Sequence, residues 1–89
     1  MADLAISMSI CHRADPSKAV LAKVSDTQEG SIAHMQGVTW FACLFDDKGE
    51  CLAFVDSRHR TPRVLLRGLR SLGLSVIPML GVSLGKAGA

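Results

Sequence analysis

Residues 57–89 of this chain contain no acidic side chain, its three cysteines show no C-x-x-C spacing, and its three histidines show no H-x-x-x-H spacing. Each absence excludes something. Without ligand spacing, Cys11, His12, His34, Cys43, Cys51 and His59 make no recognisable zinc motif, and neither a metal nor a cofactor is expected. An odd number of cysteines argues against the disulfide framework of a small secreted protein, so the thiols read as reduced and the chain as cytoplasmic. The start, Met1-Ala2-Asp3-Leu4, lacks the positive region and continuous apolar run of a signal peptide. The longest low-charge stretch, residues 71–85, is broken by Gly73, Pro78 and Gly81 and is shorter than the roughly 20 residues that span a bilayer. No repeat and no low-complexity tract is visible.

What is present is an 89-residue chain, 48% hydrophobic, which is enough for one small α+β domain over residues 1–80. Residues 81–89 are small and glycine-rich and read as a flexible tail. A chain of this length buries only about 60–65% of the surface that its unfolded form exposes, so a partner would help it. The mean hydropathy of +0.28 points the same way, to apolar surface reserved for self-association or docking.

The net charge of +2 conceals a division along the chain. All eight acids fall within residues 1–56, with only Arg13, Lys18, Lys23 and Lys48 to offset them, for a net of −4. Residues 57–89 hold Arg58, Arg60, Arg63, Arg67, Arg70 and Lys86, for a net of +6.

Apolar and small polar residues alternate from Asp3 to Ile10, which predicts a half-buried strand. Asp15-Pro16 is a capping residue followed by a proline suited to a first helical turn, and it predicts a helix carrying Ala19, Val20 and Val24 inward. Val38–Phe45 and Glu50–Asp56 are β-rich runs around Asp46-Asp47-Lys48-Gly49, a hairpin composition. Thr61-Pro62 repeats the start device and predicts a helix from Pro62 to about Leu72, closed by Gly73. Leu74–Met79 reads as a short strand, placed at a sheet edge by Pro78. The order β-α-β-β-α-β predicts a ferredoxin-like fold with four antiparallel strands and both helices on one face. The main competitor is an α+β arrangement in which Ser31–Gln36 adds a strand.

A hairpin turn centred on Asp47 and Lys48 pairs Phe41 with Phe54 and Cys43 with Leu52. Phe41, Cys43, Phe45, Leu52 and Phe54 then share one face, and Cys43 and Cys51 lie on opposite faces. Both faces are apolar, yet helices cover only one. The uncovered face, marked by Phe41, Phe45 and Phe54, is therefore expected to serve a homodimer or another partner, unless loops or the tail fold over it.

Arg58, Arg60, Arg63, Arg67 and Arg70 are the most informative cluster. The last three recur at i, i+4 and i+7, hence on one helix face, while Arg58 and Arg60 flank its start. Arginine favours bidentate contact with carboxylate or phosphate, although an ordinary solvated helix face has the same composition. An RNA-recognition module carries the motif K/R-G-F/Y-G/A-F-V-x-F/Y on its third strand. Residues 50–57 match it only at Ala53-Phe54-Val55, and the first strand offers no stacking aromatic. Cys11, near His12, Arg13 and Asp15, is a candidate nucleophile only if a base is brought to it. Residues 81–86 miss the phosphate-loop spacing.

The expectation is therefore a non-enzymatic binding protein whose Arg58–Arg70 segment meets an acidic protein surface, without membrane association. Small chains that lack an active site often act as regulators or inhibitors, including those that phages and mobile elements direct against host defences. A nucleic-acid-binding domain using the same arginines, and a small enzyme with Cys11 as nucleophile, are the alternatives.

Overall fold

The computed structural model describes residues 6–79. Five strands and two helices follow in the order β1 (Ile6–Ile10), β2 (Leu21–Asp26), α1 (Ile32–Met35), β3 (Trp40–Phe45), β4 (Cys51–Ser57), α2 (Arg63–Ser71) and β5 (Ser75–Pro78). The strands form one mixed sheet ordered β1-β4-β3-β2-β5. All neighbours are antiparallel except β2 and β5, which run parallel.

This corrects the ferredoxin-like expectation of four antiparallel strands beneath two helices. The difference lies at residues 15–26. Asp15 does cap a start, its Oδ1 accepting from the Ser17 amide at 3.0 Å and the Ser17 hydroxyl at 2.7 Å. What it caps is a single 3₁₀ turn, Pro16–Lys18, which ends as Ala19 turns extended at ψ 138°. After Val20 the six residues Leu21–Asp26 are a strand. Ala22 and Val24 alternate inward at 0% exposure, and β3 and β5 flank the strand on either side. Two sets of ladder hydrogen bonds and two buried side chains outweigh the modest helix preference of Ala, Leu and Lys. Ser31–Gln36 does not supply the extra strand either. Ser31 Oγ accepts from the His34 amide at 3.1 Å and opens the single-turn helix α1.

The second start behaves more nearly as expected. α2 ends at Ser71, and Gly73 closes it at φ 80°, its amide donating to the Arg70 carbonyl at 2.9 Å. Pro62 occupies the cap position without any side-chain hydrogen bond, so Thr61 is not the capping group. Pro78 lies in edge strand β5, where a missing amide is tolerated.

The core forms where α2 crosses the sheet. Leu65, Leu66 and Leu69 pack with Ala22, Val24, Ala42, Leu44, Ala53, Val55 and Leu74, all buried. This fixes the sidedness of the sheet. Residues alternating with the core set, among them Phe41, Cys43 and Phe54, lie on the face that α2 leaves open. The Gly-rich tail expected at residues 81–89 lies outside the described residues.

Candidate functional site

The hairpin register decides what the open face presents. Cys43 pairs with Phe54 and Phe41 with Asp56, a two-residue slide from the expected pairing. Asp46 sets the turn: its Oδ1 accepts from the Lys48 and Glu50 amides, each at 2.9 Å. An irregularity between Leu44 and Phe45 then brings Phe45 opposite Cys51. A slide of two keeps every side chain on its face, but the bulge moves Cys51 to the side that Phe45 occupies.

The expected separation of Cys43 and Cys51 is therefore corrected. The Cys51 thiol lies near the Cys43 and Cys11 thiols, and its Sγ donates to the Ala53 carbonyl at 3.7 Å. Cys11 arrives from the end of β1, its amide donating to the Leu52 carbonyl at 2.9 Å. Burial, and then the neighbouring Cys51 sulfur, push the Cys43 thiol above its ordinary value. Burial, and then the Cys11 sulfur, do the same for Cys51. All three cysteines are free, and among the described residues no group of three His, Cys, Asp or Glu side chains is arranged to hold a metal ion.

Beside the thiols, Lys23 Nζ stands 5.2 Å from the centre of the Phe45 ring. Phe54 is 45% exposed, whereas Phe41 and Phe45 are half-buried. The structure thus brings Phe41, Phe45 and Phe54 onto the face that α2 leaves open, with Phe54 presenting the most surface.

The arginines occupy a different part of the molecule. All five are exposed. Arg58 and Arg60 sit on the link between β4 and α2, and Arg63, Arg67 and Arg70 follow on the helix. The link is held in place by the start of β3. Thr39 Oγ1 donates to the Ser57 carbonyl at 3.1 Å and also to the His59 carbonyl. Trp40 Nε1 donates to the Arg60 carbonyl at 3.2 Å, and the His59 amide donates to Ser57 Oγ at 3.3 Å. Thr39, just ahead of β3, and Trp40, its first residue, thus fix the backbone that carries Arg58 and Arg60. These pinning residues were not singled out from the sequence, because a threonine and a tryptophan opening a strand look like ordinary strand formers.

The acids of the hairpin turn, Asp46, Asp47 and Glu50, lie at the other end of β4. At about 3.3 Å per residue, Ser57 stands roughly 16 Å along that strand from Leu52. The same distance separates Cys11, beside Leu52, from the link that bears His59. His34 lies in α1, whose Ala33 carbonyl accepts from Val38 just ahead of β3, again at the Ser57 end. Neither His34 nor His59 is brought to Cys11.

An apolar groove opens on the helix side of the sheet, between β1 and α2. It comprises two cavities of about 390 Å³ and about 180 Å³ that share Met8 and Leu72 in their walls. Among the described residues, Ser17 is the one polar side chain lining them. Among the described residues no helix is long and apolar enough to cross a membrane.

No protein-family model, curated protein or solved structure matches this chain.

Proposed function

We propose that the chain is a small non-enzymatic binding protein that docks an acidic protein surface through Arg58, Arg60, Arg63, Arg67 and Arg70. The observation that carries this reading is the exposure of all five guanidinium groups along one continuous path, from a pinned link onto the outer side of α2. No carboxylate among the described residues pairs with Arg58, Arg60, Arg63 or Arg67. A partner that supplies carboxylates would meet planar, bidentate donors with part of their backbone already fixed.

Nucleic acid is the second reading, and the placement of the aromatic side chains weighs against it. A single strand tracked by the α2 arginines runs on the helix side of the sheet, while Phe41, Phe45 and Phe54 face the other way. Charge tracking and base stacking are therefore not offered by one surface. The open aromatic face, on the other side of the sheet, is left for a separate contact.

Size fits a regulator or inhibitor that acts by occupying another protein's surface. The separation of Cys11 from His34 and His59 supports a non-enzymatic role, and three free thiols suit the cytoplasm. The test is affinity capture from native extract with and without nuclease, using the wild type and an Arg63→Glu/Arg67→Glu variant. The reading expects a protein that the wild type retains after nuclease treatment and the variant loses. A partner captured equally by both, or one released by nuclease, contradicts it.

A further inference from the structure

The two edges of the sheet differ in how they are closed. β5 is four residues long and carries Pro78, a device that blunts an edge. β1, at the other end of the strand order, has no proline and no charge: its five residues are Ile6-Ser7-Met8-Ser9-Ile10. Among the described residues only β4 pairs with it, so every second backbone amide and carbonyl of β1 points outward without a strand to meet it. Its side chains are poorly covered, with Met8 at 45% and Ile10 at 56% exposure.

The sequence of β1 is a palindrome centred on Met8. From this we infer that β1 is the seam of a homodimer, in which the strands of two copies pair antiparallel about a two-fold axis through Met8. Ile6 then lies opposite Ile10 of the second copy, Ser7 opposite Ser9 of the second copy, and Met8 opposite its own counterpart. All five residues are paired in this register, whereas a slide of two residues leaves only three pairs. The palindrome favours a second copy, because about this axis every residue meets its own type, apolar on the core side and hydroxyl on hydroxyl on the open side.

Parity of the pairing decides what else is joined. Residues 6, 8 and 10 share the core side with Ser57, Val55 and Ala53, so the axis stands perpendicular to a continuous ten-stranded sheet. Both α2 helices lie on the same side of that sheet. Ile6, Met8 and Ile10 of the two copies form an apolar ridge between them. Met8 also lines both parts of the groove, opposite Leu72, which is 63% exposed. Pairing at β1 therefore brings the grooves of the two copies side by side. On the open side, Ser7 and Ser9 form hydroxyl pairs across the seam. The arginines of α2 and the aromatic face are left free, so this assembly goes beyond the partner reading above and does not depend on it.

Ser7 and Ser9 are exposed and face away from the core, so charges placed there test the register without touching the packing. Sedimentation equilibrium over about 1–500 μM is expected to show wild-type dimer formation. Ser7→Lys/Ser9→Glu places opposite charges across each pair, and is expected to dimerise at least as well as the wild type. Ser7→Lys/Ser9→Lys places like charges there, and is expected to weaken the dimer about 10-fold or more relative to the Lys/Glu variant. Circular dichroism confirms that both variants fold. A wild-type monomer throughout that range overturns the inference, as does a dimer equally stable in both variants, which would place the contact on another surface.

Discussion

Two glycine-to-alanine substitutions five residues apart are expected to move stability in opposite directions. Gly68 lies inside α2, and a Cβ built on it meets nothing within 4 Å, because it faces the groove beside Leu72. Alanine removes the backbone entropy that glycine loses in a helix interior, which is about 0.8–1.0 kcal/mol in favour of Gly68→Ala. Gly73 also has open space around it, but its φ is 80°. A Cβ there costs roughly 1–2 kcal/mol through its own backbone, with no clash to add. For a domain of about this size, 1 kcal/mol corresponds to roughly 4–8 °C in Tm. Thermal and urea melts at one protein concentration should therefore show Gly68→Ala melting several degrees above the wild type and Gly73→Ala several degrees below. A destabilised Gly68→Ala would mean that the groove beside α2 is closed or occupied. An unchanged Gly73→Ala would mean that the helix does not end in the left-handed conformation.

The pinned link gives a second expectation. Thr39→Val keeps the shape and β-branching of the side chain but removes the hydroxyl that bonds the Ser57 and His59 carbonyls. It should lower stability by about 0.5–1.5 kcal/mol in a urea melt and weaken partner binding more than a core substitution of equal stability cost. The thiols give a third. Burial favours the neutral form of Cys43 and Cys51, so both should alkylate with iodoacetamide at neutral pH more slowly than a peptide cysteine, as read by mass spectrometry of the digested protein. The linkage has one sign. Below the ordinary thiol value of 9.0 both states are protonated and the contribution to stability is complete. Above it the unfolded chain ionises first, and stability falls as pH rises through the raised native values. A melt that strengthens from pH 8 to pH 10 would contradict that assignment.

The sequence was legible where local signals agreed with tertiary packing. Thr61-Pro62 and Gly73 bracket α2, Pro78 marks an edge, and Asp46-Asp47-Lys48-Gly49 makes the turn. Residues 19–25 misled because Ala, Leu and Lys suit a helix and the only local start signal was genuine. What made this segment a strand was the pair of ladders supplied by β3 and β5, one from late in the chain. The hairpin register was hidden for a different reason. A two-residue slide preserves the alternation, so hydrophobic pattern does not distinguish the pairings, and the Asp46 turn with its adjoining bulge decides. That bulge is also why three thiols separated in sequence converge. The arginine cluster could be read directly from the chain, whereas the hold of Thr39 and Trp40 on its link could not.

The central claim is that the arginine path, rather than overall positive charge, selects the partner. Calorimetric titration of the captured partner against three proteins tests it: wild type, Arg63→Glu/Arg67→Glu and Lys18→Glu/Lys48→Glu. Each double reversal removes four units of charge, taking the chain from +2 to −2, but Lys18 lies in the Pro16–Lys18 turn and Lys48 in the hairpin turn, off the arginine path. Affinity should fall at least about 100-fold for the arginine variant and less than about 5-fold for the lysine variant. Equal losses in the two variants would reduce the interaction to net charge and contradict it.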